Sequence, residues 1–351
     1  MTGVRQAWPL PAHPRPIVII GAGAIVRTAH LPAYRRLAYP IAGLFDVRSD
    51  AAQVTAKLFG IDTVFATLDD ACAVRGAVFD VAVPGDQILG ILCQLPVGAA
   101  VLVQKPMGED AAAARRILDV CRAGQLKAAL NFQLRFSPGM LALEQLVAER
   151  RLGEITDIEV RIVDRQPWEQ WSFLAGAPRV EVLYHSIHYL DAIRWLAGEP
   201  LGVHCLALPH PAFESFSDTR SSIILDYGDR IRCSLTLNHT HRQDATHRAS
   251  FFKVEGTAGA AVATLGVNLE YPAGPPDSLE VALGGGAWDK VLLRGSWFTE
   301  AFEGPMSNLQ RFAAGEDAAL VSPVEDAIRT MALVEACYMS SAGGSTPVPP
   351  L

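Results

Sequence analysis

The stretch PIVIIGAGAIVRTAHLPAYRRL (16–37) decides the fold. Its apolar run IVII (17–20) predicts a buried β-strand, GAGA (21–24) predicts a tight turn, and the remainder has the pattern of a helix. A glycine-rich turn between a strand and a helix is typical of a nucleotide-binding unit, because the backbone there can approach a phosphate closely.

The same alternation of strand and helix continues to residue 132. Further strands are predicted at IAGLFDV (41–47), TVFA (63–66), VFDVAVP (78–84), AAVLVQKP (99–106) and KAALNF (127–132). Apolar strands that alternate with helices predict a parallel sheet covered by helices on both faces. We therefore assign residues 16–135 to an α/β domain with the doubly wound Rossmann arrangement.

The pattern changes after Pro138. A helical segment is predicted at 181–197, and alternating strands at EITDIEVRIVDR (154–165), SSIILDY (221–227), RIRCSLTLNHT (230–240) and SFFKVEG (250–256). Alternation of polar and apolar residues predicts a mostly antiparallel sheet with one exposed face. Residues 136–345 are assigned to this second α/β domain, and the proline-rich residues 1–15 to a flexible arm.

Composition narrows the class of protein. The chain has 351 residues, of which 50% are hydrophobic, so it is long enough for about two globular domains. A net charge of −7 argues against a nucleic-acid partner. No run of about 18 apolar residues predicts a membrane span. The six cysteines are scattered without a CxxC pair, which favours free thiols and a cytoplasmic location.

The first turn carries a partial dinucleotide fingerprint. Gly21 and Gly23 allow a tight turn, and the backbone at Ala24 and Ile25 opens the helix toward a pyrophosphate. The third position of the fingerprint is Val26 instead of the usual small residue, which normally permits close packing of helix and strand.

Asp46, at the end of the second predicted strand, lies where an acidic residue binds the ribose of NAD. A carboxylate there accepts hydrogen bonds from the 2′-hydroxyl and repels a 2′-phosphate. NAD is therefore the expected cofactor. Arg48 could instead bind a 2′-phosphate, which makes NADP the alternative cofactor.

Lys105 is one of only five lysines, and it ends a predicted parallel strand directly before Pro106. Open α/β sheets bind ligands at the carboxyl ends of their strands. A cationic side chain at this edge can stabilise an alkoxide or polarise a carbonyl beside a nicotinamide.

Several motifs in order resemble the glucose-fructose oxidoreductase, inositol dehydrogenase and rhizopine catabolism (Gfo/Idh/MocA) family. They are GAGAIV (21–26), HLPAY (30–34), AVP (82–84), QKP (104–106), NFQLRFSP (131–138) and HSIHYLDAIRWLAGEP (185–200). The resemblance implies a Rossmann domain followed by a domain with a large open-faced sheet, through which homodimers or homotetramers form. It implies oxidation or reduction of a secondary alcohol on a sugar, inositol or related polyol.

The resemblance also implies roles for single residues. Lys105 corresponds to the lysine of the EKP motif, Gln104 replaces its glutamate, and Pro84 belongs to the turn beside the cofactor. His188 corresponds to the histidine of an Asp-x-x-x-His motif, whose aspartate position is Tyr184 here.

The acid/base residue has three interpretations. His188 is the general base, with Glu181 or His185 replacing the missing aspartate; or Tyr184 is the acid/base group, activated by Lys105. Alternatively, Glu181, His185 and His188, spaced along one helical face, bind a divalent metal with help from His239 or His241. The first is preferred, and no metal is expected; a simpler possibility is that these are satisfied polar residues.

Arg135, Trp168, Tyr184 and His185 are expected to contact the substrate. The expected activity is NAD(P)-dependent hydride transfer between nicotinamide and a polyol carbon. One alternative is a transient-redox lyase, epimerase or glycosidase-like enzyme with bound NAD, with or without assistance by a metal. Another is a non-catalytic sensor that binds nicotinamide, because Gln104 and Tyr184 depart from the family pattern.

Overall fold

A computed structural model describes residues 3–346. Its α-helices are α1 (Leu31–Arg36), α2 (Ser49–Phe59), α3 (Leu68–Cys72), α4 (Ile88–Leu92), α5 (Ala111–Ala123), α6 (Pro138–Ala148), α7 (Ile187–Ala197), α8 (Gly266–Leu269), α9 (Glu303–Ala314) and α10 (Val324–Ala342). Two π-helical segments, Val26–His30 and Val182–Ser186, lead directly into α1 and α7. No helix within the described range is long and apolar enough to cross a membrane.

The chain forms two compact units, each discontinuous in sequence. Within the described residues, unit 1 comprises residues 3–145 and 292–331, and unit 2 comprises residues 146–291 and 332–346. The sequence pattern predicts a single boundary at 135/136, with 292–331 in the second domain. The later segment belongs to unit 1 because Phe302, Met306 and Leu309 are fully buried in the core of the first sheet.

Unit 1 is built on a five-stranded parallel sheet in the order β2-β1-β3-β4-β5. Its strands are β1 (Ile17–Ile20), β2 (Ile41–Phe45), β3 (Val78–Val81), β4 (Ala100–Val103) and β5 (Lys127–Leu130). The β1, β3 and β4 residues are all buried, as expected of strands covered on both faces. The predicted Rossmann arrangement is therefore confirmed, except that residues 63–66 make only a bridge from Val64 to Leu44.

The N-terminal arm is held against unit 1. The Arg5 backbone N–H donates to Gln145 Oε1 at 2.6 Å, and Trp8 Nε1 donates to Asp317 Oδ2 at 2.7 Å. Its prolines predicted a flexible segment, but these side-chain partners, distant in sequence, anchor it. Residues 1 and 2 lie outside the described range.

Unit 2 is built on an eight-stranded sheet in the order β13-β12-β11-β10-β6-β9-β8-β7. Its strands are β6 (Ile155–Val163), β7 (Gly202–Leu208), β8 (Arg220–Asp226), β9 (Arg232–Asn238), β10 (Ala249–Gly256), β11 (Gly259–Thr264), β12 (Ser278–Leu283) and β13 (Asp289–Val291). Neighbouring strands are antiparallel except β6 and β9, which are parallel. The predicted mixture of a Rossmann sheet and a mostly antiparallel second sheet is thus confirmed.

One face of this second sheet is open. Along β8, for example, Ile223 and Leu225 are buried, whereas Ile224 between them is 54% exposed. Leu206 and Leu208 on β7 are exposed as well. Assembly of copies through this sheet stays a prediction.

Candidate active site

The glycine turn after β1 is packed tightly against the sheet on one side. Gly21 has φ +111°, and a Cβ atom there would lie 2.3 Å from the Ala82 carbonyl oxygen, so only glycine fits. A Cβ atom at Gly23 would meet no protein atom within 4 Å. The turn is therefore closed on the sheet side and open at the start of the helix, where Ala24 is exposed and Ile25 half-buried.

Val26 replaces the small residue of the fingerprint, and the helix is altered at this point. The Val26 side chain is fully buried, and residues 26–30 form a π-helical segment whose turns are wider than those of an α-helix. The helix thus accommodates the larger side chain and still begins at the glycine turn.

The Asp46 carboxylate is oriented by the backbone at the end of β2. Its Oδ2 accepts a hydrogen bond from the Ala22 N–H at 2.7 Å, and its Oδ1 accepts one from the Arg48 N–H at 2.8 Å. The Arg48 guanidinium is largely exposed and lies 3.9 Å from the same carboxylate. A fixed carboxylate beside the glycine turn suits a ribose diol, and the exposed cation beside it is the group that a 2′-phosphate would need.

Lys105 lies just beyond β4, at the carboxyl edge of the parallel sheet. The preceding Gln104 is buried, and its Oε1 accepts the Lys105 backbone N–H at 3.1 Å. The Lys105 side chain is half-buried, and desolvation lowers its pKa to about 8. Its ammonium group is thus held in a weakly solvated place, where a charge interacts strongly with a developing alkoxide. Pro84 is exposed in the turn after β3.

In unit 2, the segment before α7 departs from α-helical geometry. Residues 182–186 are π-helical, and the Ser186 hydroxyl donates to Glu181 Oε1 at 2.5 Å. The i to i+5 contact follows from the wider π turn. The sequence spacing predicts Glu181, His185 and His188 on one face of an α-helix. The π turn changes this spacing, because Ser186 contacts Glu181 at i+5, while Glu181 and His185 both lie beside His239.

The Glu181 carboxylate belongs to a buried charged array with His239 and Asp164. His239 Nδ1 lies 2.8 Å from Asp164 Oδ1, and His239 Nε2 lies 3.3 Å from Glu181 Oε1. All three side chains are at most 1% exposed. Burial lowers the pKa of His239, but the two carboxylates outweigh it and raise the pKa to about 10. At neutral pH the ring is therefore an imidazolium between two acids.

A third buried carboxylate, Asp218, caps the helical segment that begins near Glu181. Asp218 accepts the backbone N–H groups of Val180, Glu181 and Val182 at 2.8 to 3.2 Å. Burial and the nearby Glu181 raise the pKa of Asp218. The start of the helix is thus held by Asp218 through its backbone and by His239 through a side chain.

The aromatic side chains of this region pack around His185. The His185 ring centroid lies 4.8 Å from that of His239, 5.1 Å from that of Trp168 and 5.4 Å from that of Trp171. Trp168 is 1% exposed, and its indole N–H donates to the His239 carbonyl at 3.1 Å. Trp168 is therefore a core residue, which corrects the expectation that it contacts the substrate.

Tyr184 and His185 are half-buried, whereas His188 is 7% exposed within α7. Tyr184 packs against Phe173, with ring centroids 5.9 Å apart. Within the described residues, no three His, Cys, Asp or Glu side chains are arranged to hold a metal ion. The interpretation of Glu181, His185 and His188 as metal ligands is therefore without support.

Comparison with known proteins identifies the family. Residues 15–132 match an oxidoreductase family with an NAD-binding Rossmann fold, GFO_IDH_MocA, and residues 140–262 match the GFO/IDH/MocA C-terminal domain. The chain belongs to the Gfo/Idh/MocA oxidoreductase family. The predicted family, its NAD cofactor and its class as an oxidoreductase of CH–OH groups are confirmed.

Two relatives span nearly the whole chain. The inositol 2-dehydrogenase of Rhizobium meliloti (strain 1021) is 25% identical, covering 92% of this chain and 96% of that protein. The D-apiose dehydrogenase of Paraburkholderia graminis is also 25% identical, covering 93% and 88%. The crystal structure of aldose-aldose oxidoreductase from Caulobacter crescentus, complexed with glycerol, shares the fold with a TM-score of 0.78 at 16% identity, covering 95% of this chain and 99% of that one.

Arg135 has a different place from the one that the sequence predicted. It is 2% exposed, its Nη1 donates to the Val321 carbonyl at 2.7 Å, and its Nη2 pairs with Asp326 at 2.7 Å. The guanidinium thus fastens residues 321–326 to the rest of unit 1. The expectation that Arg135 contacts substrate is left without support.

Sequence reasoning missed Asp164 and Asp218 and assigned His239 only as an optional metal ligand. Val163 and Asn238 are in register on the parallel strands β6 and β9, so Asp164 and His239 follow side by side at the carboxyl ends. A mostly antiparallel expectation for this sheet hid that signal, because sequence alone does not show which strands pair.

Proposed function

We propose that this Gfo/Idh/MocA protein is an NAD-dependent dehydrogenase that oxidises a secondary alcohol of an inositol, a sugar or a related polyol. Lys105 carries the proposal: its half-buried ammonium group, with its pKa lowered to about 8, ends β4 at the edge of the sheet where open α/β folds bind ligands. The names of the two full-length relatives support a polyol or sugar as the substrate class.

The residues of unit 1 fit NAD. Gly21 closes the turn against Ala82, and Gly23 leaves the helix start open for a pyrophosphate. Asp46, already oriented by two backbone N–H groups, would accept the ribose 2′-hydroxyl and disfavour a 2′-phosphate. The bound nicotinamide would accept the hydride. Because Arg48 could bind a 2′-phosphate, NADP is tested as an alternative cofactor.

The side chains have three roles in the proposed reaction. Lys105 holds the substrate oxygen and stabilises the negative charge that develops on it. His188 accepts the proton of the hydroxyl group, since a histidine can take up a proton near neutral pH. Tyr184 and His185, the half-buried side chains of the same helical segment, contact the substrate and support the proton transfer.

The proposal is tested with purified protein and a panel of inositols, pentoses and hexoses. NAD binding is measured by calorimetry, and NADH formation is followed at its absorbance band. Net NADH formation with at least one polyol is expected. NAD binding with product formation but no net NADH would favour a transient-redox reaction, and no binding of either nicotinamide cofactor would exclude the proposed function.

A further inference from the structure

The Asp164–His239–Glu181 array lies directly beside the segment to which we assign proton transfer. His239 touches that segment at two points: its Nε2 lies 3.3 Å from Glu181, which precedes the π turn, and its ring lies 4.8 Å from the His185 ring. It reaches both from the end of β9, where its Nδ1 is held by Asp164. His239 therefore connects the sheet to both ends of the π turn.

Stability alone does not account for a charged array in this place. Exchanging a buried ion pair for apolar residues of similar size is often neutral or stabilising. What such an array supplies is a defined position for the groups that it pairs, because removing any one partner leaves an uncompensated buried charge. Here the paired group is Glu181, whose carboxylate also receives the Ser186 hydroxyl across the π turn.

The π turn determines which side chains the segment presents. Because a π turn is wider than an α turn, the five π-helical residues rotate the preceding residues about the helix axis relative to α7, which contains His188. Its register is held by the Glu181–Ser186 hydrogen bond and by the Asp218 cap on three backbone N–H groups. Such segments occur frequently at functional sites.

We propose that His239 is a positioning residue for the segment Tyr184–His188. Paired with Asp164 and Glu181, it fixes the π register and the orientation of the His185 and His188 rings. This inference rests on the proposed function, in which the segment supplies the acid/base group. The titratable groups packed around the array are Asp218, His185, Tyr189, Cys337 and Tyr338.

The first test measures the rings directly, without any assay of activity. In ¹⁵N-histidine spectra of the full chain, His239 is expected to carry protons on both ring nitrogens at about pH 8. His239→Gln and Asp164→Asn are expected to shift or split the His185 and His188 resonances. His204→Gln, on the exposed β7 position, is the matched control and should leave them unchanged.

The second test separates positioning from loss of stability. His239→Gln is expected to lower kcat by about 10- to 100-fold, since small displacements of reacting groups cost this much. NAD affinity should be unchanged, because the proposed NAD residues are in unit 1. Leu225→Ala, which destabilises the buried face of β8 away from the array, should keep its kcat. Asp164→Asn gives a milder variant if His239→Gln fails to fold.

Three results would overturn the proposal: a neutral His239 ring at about pH 8, unchanged His185 and His188 resonances in both array variants, or a kcat in those variants equal to that of Leu225→Ala. Failure of the proposed function is a separate result. A parent protein that oxidises no polyol would remove the kinetic test, and the spectra would still decide whether His239 fixes the segment.

Discussion

Asp164 Oδ1 lies 2.8 Å from His239 Nδ1, and the two residues follow β6 and β9 side by side. Glu181 closes the array from the other side of the ring. Unit 2 therefore contains a buried positive charge between two carboxylates. Because His239 loses this charge at alkaline pH, the stability of unit 2 is expected to change with pH in the alkaline range.

The stability of unit 2 is expected to fall as the pH rises through about 10. Despite burial, Asp164 and Glu181 raise the pKa of His239 to about 10, above its value of 6.5 in a solvated chain. Because the pKa of His239 is higher in the folded state, its protonation stabilises the fold. This contribution to the free energy of unfolding is fully present below about pH 6.5, declines above that pH and is lost once the pH has risen through about 10. Urea unfolding at a series of pH values from neutral to strongly alkaline measures it.

His239→Gln should remove this alkaline decline and lower the free energy of unfolding at neutral pH by about 3–5 kcal/mol, the cost of breaking a buried ion pair. His204→Gln serves as the exposed control. An identical pH dependence in parent and His239→Gln would show that His239 is not the titrating group.

Lys105→Met is expected to lower kcat by about 100- to 1000-fold, the usual effect of removing one donor to a developing oxyanion. NAD affinity should change far less. Lys127→Met is a matched control, because Lys127 is the exposed lysine at the opposite, amino end of the neighbouring strand β5. Equal kcat values for the Lys105 variant and the parent would remove Lys105 from the chemistry.

The same Lys105 variant should be more stable than the parent. Desolvation lowers the pKa of Lys105 to about 8, so the folded state resists carrying its charge. The resulting destabilisation has its full size below about pH 8 and decreases as the pH rises toward the ordinary pKa of lysine. Lys105→Met should therefore gain about 0.5–2 kcal/mol at neutral pH, measured by urea unfolding, and none at strongly alkaline pH.

The two glycines of the turn should respond differently to alanine. Gly21→Ala would place a methyl group 2.3 Å from the Ala82 carbonyl, so loss of folded unit 1 is expected. Gly23→Ala meets no protein atom within 4 Å and should fold normally while losing NAD affinity. Circular dichroism and calorimetry distinguish the outcomes; a Gly23→Ala protein that binds NAD normally would argue against a pyrophosphate at this turn.

Asp46→Asn is expected to shift the preference from NAD toward NADP. The amide keeps an acceptor for the Ala22 N–H but removes the charge that repels a 2′-phosphate. A loss of about 10- to 100-fold in kcat/KM for NAD corresponds to one hydrogen bond to a charged group. Asp50→Asn, exposed in the first turn of α2, is the control, and an unchanged ratio of the two cofactors would contradict the assignment.

The sequence predicts most of the secondary structure of unit 1 and less of that of unit 2, for physical reasons. The apolar strands and the glycine turn are local patterns, so the Rossmann sheet and the positions of Gly21, Asp46 and Lys105 at the ends of its strands could be predicted. The return of 292–331 to unit 1 depends on tertiary packing by Phe302 and Met306, which no local pattern shows.

The segment before α7 was harder to predict because its geometry is not α-helical. Spacing arguments assume 3.6 residues per turn, and the π turn at 182–186 breaks that assumption at Glu181 and His185. The parallel pairing of β6 with β9 likewise brings Asp164 to His239 from 75 residues away in sequence. Periodicity within a strand contains no information about its partner.

The most direct test of the central claim follows the hydride itself. A polyol that the protein oxidises is prepared with deuterium on the reacting carbon, and the NADH formed is analysed by mass spectrometry for the parent and for Lys105→Met. We predict deuterium in the NADH of the parent, with formation at least about 100-fold slower in Lys105→Met. NADH without deuterium, or equal rates in the two proteins, would contradict hydride transfer from a polyol carbon assisted by Lys105.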